Sequence, residues 1–171
     1  MRILALGLLC VALTACGWHL RGSSDLSALE AISVTGASFE LRRDLVRNLE
    51  RNGVLVHDYA PMILELGEER WTQRTIAVDI LGREAERELR LSTHWQLRDE
   101  GGKSLGPRQR IQVIRSFNYD PTNIAAASDE EQITRESMYR DALGQLMRQL
   151  HATSTRLNKK IENHNQGNGE N

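Results

Sequence analysis

The chain has 171 residues, 40% hydrophobic and 26% charged, with 22 basic against 23 acidic side chains and a formal net charge of −1. A single domain with one core is the default at this length. The near-neutral balance excludes binding by bulk positive charge, so no nucleic-acid partner is expected and any anion site must come from local placement.

Arg2 opens the chain with a positive charge, Ile3 to Leu13 is uncharged and largely apolar, and Leu13-Thr14-Ala15-Cys16-Gly17 follows. This is the layout of a bacterial signal peptide ending in a lipobox. The apolar run is well short of the roughly 20 residues that span a bilayer as a helix. Residues 1–15 are therefore expected to be removed, and Cys16 to be lipidated and to anchor the mature chain in outer-membrane lipid. Gly17, in a place where an aspartate would mark retention at the inner membrane, points to the outer membrane. Cys10 leaves with the signal and Cys16 is acylated, so no disulfide and no Cys-based zinc site can form.

Residues 16–29, which include Trp18, Gly22, Ser23 and Ser24, read as a lipidated tether, and residues 30–157 as one domain. Ile32 and Val34 mark a first strand. Ser38 then stands as an N-cap before a helix over Phe39–Asn52, with Leu41, Leu45, Val46 and Leu49 on one face and Gly53 closing it. Met62–Val78 reads as one long strand, bent or bulged at Gly67 where the alternation slips. Asp79–Gly82 turns the chain into Arg83–Asp99, where Leu89, Leu91, Thr93, Trp95 and Leu97 alternate with polar residues. Gln109–Tyr119 forms a last strand. Ser128-x-x-Glu131 reads as a capping box opening a second helix that carries an apolar stripe to Leu157, and residues 158–171 as a disordered tail.

The fold class expected is α+β, a two-layer sandwich: a mixed four-stranded sheet with two helices packed on one face, in the order β-α-β-β-β-α. The first crossover makes the first two strands parallel, and the short turns make the later ones antiparallel. The other sheet face is left bare, carrying Arg90, His94, Arg98, Arg108, Arg110 and Gln112. No catalytic residues are expected. The five histidines lack metal-ligand spacing, no Gly-rich phosphate loop or Gly-x-Ser-x-Gly elbow occurs, and no free thiol remains. No metal, no cofactor and no enzymatic activity follow from these residues.

Three stretches, Cys16-Gly17-Trp18-His19-Leu20-Arg21-Gly22, Phe117-Asn118-Tyr119-Asp120, and Met138-Tyr139-Arg140-Asp141-Ala142 through Gln149-Leu150, resemble the LptE (rare lipoprotein B) family of lipopolysaccharide-assembly lipoproteins. The resemblance covers Cys16 to about Leu150. It implies a lipid-anchored outer-membrane protein with a periplasm-facing domain that plugs the LptD β-barrel one-to-one, helps it assemble, and takes part in moving lipopolysaccharide to the outer leaflet. Lipopolysaccharide binding is also implied. The basic stripe Arg90, Arg98, Arg108 and Arg110 is the candidate surface for it, because guanidinium groups take phosphate bidentately. The alternatives are a binding module of another envelope pathway and an anchored hydrolase, the latter requiring a clustered His and carboxylate set.

Overall fold

The computed structural model describes Leu26 and residues 28–167. The signal segment, Cys16, most of the tether and residues 168–171 lie outside the described residues.

Strand β1 (Ala31–Gly36) leads into helix α1 (Phe39–Arg51). Ser38 caps that helix by accepting from Leu41 N at 3.3 Å, as its sequence position suggested. Its other end is a Schellman stop: Gly53 N donates to Glu50 O at 3.0 Å, Val54 N to Leu49 O at 3.1 Å, and Gly53 takes a φ of 80°. Glycine is the residue that adopts this conformation without a Cβ penalty. Buried Leu41, Leu45 and Leu49 seat α1 on the sheet.

The sheet contains β1, β2 (Leu55–Val56), β3 (Met62–Leu66), β4 (Arg70–Val78), β5 (Glu84–Asp99) and β6 (Gln109–Asn118). β1 runs parallel to β2 and β3, while β5 runs antiparallel to β3, β4 and β6. Both β3 and β4 lie along one edge of β5, pairing with Trp95–Asp99 and Glu84–Ser92 respectively, and β6 lies along the other. The long strand expected over Met62–Val78 is therefore present as two collinear pieces broken at residues 67–69. With the two-residue β2 added at the edge, six strands stand where four were expected. The ladder between β4 and β5 also slips between Thr75 and Ala77 and again between Ala77 and Val78.

Helix α2 (Ile124–Gly167) corrects the sequence reading at both ends. Ser128 is not its cap. Asn123 is, with its Oδ1 accepting from Ala126 N at 3.3 Å and its carbonyl from Ala127 N at 3.1 Å. The Asp120 carboxylate, which accepts from Thr122 N at 2.8 Å, turns the chain so that Asn123 arrives at the capping position first. At the far end the helix continues through most of the stretch expected to be disordered. Propagating a formed helix adds one bond per residue ordered, and Lys159, Lys160 and Glu162 are good helix formers.

Both helices cover the same face. Leu89, Leu91, Trp95 and Leu97 of β5 join Ile32, Val34, Leu64, Ile111 and Phe117, the α1 leucines, and Met138, Ala142, Leu146 and Leu150 of α2 in one cluster. Side-chain period two on the sheet and near four on the helices brings these residues together. Trp95 is 1% exposed. Its indole N–H donates to Gln149 Oε1 at 2.7 Å, and Gln149 Nε2 donates to the Arg110 carbonyl at 3.2 Å, tying α2 to β5 and β6.

Candidate functional site: the uncovered sheet face

Directly opposed residues in an antiparallel pair share a face, so the register assigns the open side. On β5 it shows Glu88, Arg90, Ser92, His94, Gln96 and Arg98. Ile114, Gln112 and Arg110 of β6 stand opposite Arg90, Ser92 and His94, while Thr72 and Arg70 of β4 stand opposite Arg90 and Ser92. Arg108 lies just before β6 begins. All four arginines of the expected stripe reach this face, together with His94 and Gln112.

They are not equivalent. Arg98 donates to Glu65 Oε2 at 2.6 Å and to the Gly102 carbonyl at 3.0 Å. Arg90 reaches Glu88 Oε1 at 3.4 Å, on a carboxylate that already receives two bonds from Arg74 at 2.9 and 3.1 Å. These charges are compensated within the sheet. Arg108 and Arg110 form no ion pair among the described residues, and neither does Arg70, which the sequence reading missed. The signal was there: once a strand is restarted after Gly67, Arg70 falls on the same face as His94. Treating the stretch as one continuous strand hid that register.

Arg70, Arg108 and Arg110 surround an open groove of about 910 Å³, which also takes in Gly67, Glu68 and His94. Gly67 makes the groove possible. Its N–H donates to the His94 carbonyl at 2.8 Å, its carbonyl accepts from Thr93 Oγ1 at 2.9 Å, and a Cβ there would stand 1.9 Å from His94 Cε1. Only a residue without a side chain lets the imidazole lie over the strand break. Arg108 Nη2 reaches Nε2 of the same ring. Burial, and after it the Arg108 charge, hold the His94 pKa below its ordinary value against the opposing pull of Glu65.

The break is latched from the covered side. Glu69 Oε1 accepts from Ser38 N at 3.0 Å and its Oε2 from the Tyr139 hydroxyl at 2.8 Å, joining the start of α1 to α2. Trp71 meets Tyr139 edge-on with centroids 5.4 Å apart, and the Arg135 guanidinium lies 4.6 Å from the Trp71 ring. Burial, with the Glu69 carboxylate next, raises the Tyr139 pKa. The residues that carried the family resemblance therefore act in the fold: Met138 and Ala142 are buried, Tyr139 holds Glu69, and Asp141 accepts from Arg115 Nε at 3.1 Å. In the other stretch Phe117 is buried and the Tyr119 ring lies 3.3 Å under the Arg87 guanidinium.

At the tip of the β4–β5 hairpin, Val78, Ile80 and Leu81 are exposed, Ile80 completely. The Asp79 carboxylate accepts from Leu81 N at 2.8 Å and Arg83 N at 2.9 Å, so the apolar tip is held in one shape. The sequence gives this stretch the look of an ordinary turn, and nothing in its local pattern announces an apolar display. Among the described residues no group of three or more His, Cys, Asp or Glu is arranged to hold a metal ion, and no helix is long and apolar enough to cross a membrane.

A mixed sheet covered on one face by two helices, with a charged open face on which Arg70, Arg108 and Arg110 form no ion pair among the described residues, defines an α+β two-layer domain. The family described as LptE, lipopolysaccharide-assembly, matches residues 27–150, and the chain belongs to that family. The LPS-assembly lipoprotein LptE of Photorhabdus laumondii is 29% identical over 153 residues, covering 86% of this chain and 83% of its own. Lipoprotein B of Nitrosomonas europaea superposes with a TM-score of 0.69 at 25% identity, over 81% of this chain and 93% of that one. The rare lipoprotein B of Shewanella oneidensis shares the fold, with a TM-score of 0.66 at 22% identity over 75% of this chain and 98% of that one.

Proposed function

We propose that the mature chain is anchored to the outer membrane through an acylated Cys16, faces the periplasm, and plugs the lumen of the LptD barrel one-to-one. In that place it helps the barrel assemble and takes part in carrying lipopolysaccharide to the outer leaflet, without catalysing a reaction. Membership of the LptE family carries this reading. The physical chemistry agrees with it. Barrel lumens are polar while their outer walls face lipid, and a body whose open sheet face is lined with ion pairs and with arginines that lack a carboxylate partner suits a polar enclosure. Phosphate groups of lipopolysaccharide match the unpaired Arg70, Arg108 and Arg110 around the groove, since a guanidinium presents two parallel donors to a phosphate.

The test is gentle detergent extraction of outer membranes carrying the chain with a C-terminal affinity tag. Recovery of a large β-barrel at one-to-one stoichiometry, surviving washing, is the expected result; recovery of the lipoprotein alone overturns the plug and leaves a binding module of another envelope pathway. For the lipopolysaccharide surface, replacing Arg70, Arg108 and Arg110 together by Gln should weaken binding several-fold. Replacing Arg90 and Arg98 should weaken it less, because Glu88 and Glu65 already occupy them. Equal losses from the two sets, measured by lipopolysaccharide pull-down, would remove the distinction.

A further inference from the structure

His94 stands in the arginine groove and is the group there whose charge changes most readily near neutral pH. Arg110 of β6 is directly opposite it, Arg108 lies just before that strand, and Arg70 of β4 is opposite Ser92, two residues away. Carboxylates face it from the side of the strand break. Glu65 of β3 is committed to Arg98, and Glu68 lines the groove. Glu69 lines it as well, but its carboxylate is held on the covered side by Ser38 N and the Tyr139 hydroxyl.

Arg108 Nη2 meets Nε2 of the imidazole. A guanidinium only donates, so Nε2 is the accepting nitrogen and the ring is neutral. A phosphate-like anion in the groove changes this. It takes the Arg108 donors, because a guanidinium presents them in parallel to two anionic oxygens, and Nε2 is left with a lone pair against an oxygen that also only accepts. Protonation removes the conflict. Nε2–H becomes a donor to the anion, and the imidazolium charge is offset by the anion instead of standing alone among three guanidinium groups. We infer that His94 is a further ligand of a dianionic phosphate-type group in this groove, and that the group binds together with a proton taken from solvent onto Nε2. The inference rests on the phosphate reading of the groove and adds to it a ligand and a pH dependence. Of the two causes that hold the imidazole below its ordinary pKa, burial and then the Arg108 charge, the anion cancels the second.

The probe is inorganic sulfate, which stays a dianion over the range in which phosphate itself titrates. The histidine Cε1–H NMR signals of the mature chain in detergent are followed from about pH 8 to about pH 4.5 in chloride and in sulfate at equal ionic strength, the His94 signal being the one missing from both His94→Gln and His94→Asn. The His94 midpoint is expected to lie roughly one unit higher in sulfate, with the other histidines unmoved, and the difference to vanish when Arg70, Arg108 and Arg110 are all replaced by Gln. A rise of that size means roughly tenfold tighter sulfate binding to the protonated chain. Equal midpoints in the two salts overturn the inference, and so does a rise shared by all five histidines or one that survives loss of the three arginines. In lipopolysaccharide pull-downs at about pH 5.5 and about pH 7.5, the parent chain should gain several-fold more at the lower pH than His94→Gln does. Equal gains overturn the inference and leave the lipopolysaccharide reading standing. Lipopolysaccharide retained by neither protein, with the sulfate shift intact, removes that reading and leaves His94 as a ligand of a smaller phosphate ester.

Discussion

At Gly67 the missing side chain is what lets the imidazole of His94 lie across the gap between β3 and β4, with Arg108 against its Nε2. That crowding has a thermodynamic signature. A histidine held below its ordinary pKa of 6.5 by burial and a neighbouring cation stays neutral in the folded chain after the unfolded chain has begun to take up a proton. Its penalty is therefore absent above about pH 6.5 and grows as pH falls from there toward the folded-state pKa. Urea midpoints followed from about pH 7.5 down to about pH 5 should fall less steeply for His94→Asn than for the parent chain. Parallel curves for the two proteins would mean that the imidazole titrates alike in both states. At this scale the sequence was partly legible. The clean alternation of β5 placed His94, Arg90 and Arg98 on the open face, whereas Arg70 was hidden because a strand broken at a glycine restarts its own register.

Among the elements, α1 and β5 were readable because each states its period without interruption: Leu41, Leu45 and Leu49 at four-residue steps, and Leu89 to Leu97 at two. The start of α2 was not, because two plausible caps lie five residues apart. Ser128 and Glu131 have the spacing of a capping box, yet the turn organised by Asp120 delivers Asn123 first, and a helix needs only one start. Asn123→Ala should therefore cost about 1 kcal/mol in urea unfolding. Ser128→Ala, on an exposed helical position, should stay within about 0.5 kcal/mol of the parent. The reverse order would place the cap at Ser128. The far end of α2 escaped sequence reading for a different reason. Periodicity reports burial, and beyond Leu157 the helix buries little, so its persistence comes from propagation and not from pattern.

For the whole molecule, the long axis separates two unlike ends, a lysine-flanked apolar groove where the chain enters and an exposed apolar hairpin tip at the other. The sequence contained both sets of residues but not the distance between them, which follows from β3 and β4 lying end to end along one sixteen-residue strand. A plug inserted lengthwise would present the tip to its partner. Ile80→Asp combined with Leu81→Asp should leave stability within about 0.5 kcal/mol, because neither side chain packs against the core, and should lower barrel recovery in the tagged extraction. Undiminished recovery would show that the barrel grips elsewhere. The slipped ladder near Thr75–Val78 has a bearing on solubility. β4 leaves one margin unpaired, and an unpaired margin is a template on which another copy can add a strand. Two irregularities in its last four residues spoil the spacing that such addition requires, and Arg70 and Arg74 place charge along the remainder. The exposed edge of the sheet thus carries its own guard against fibrillar self-association.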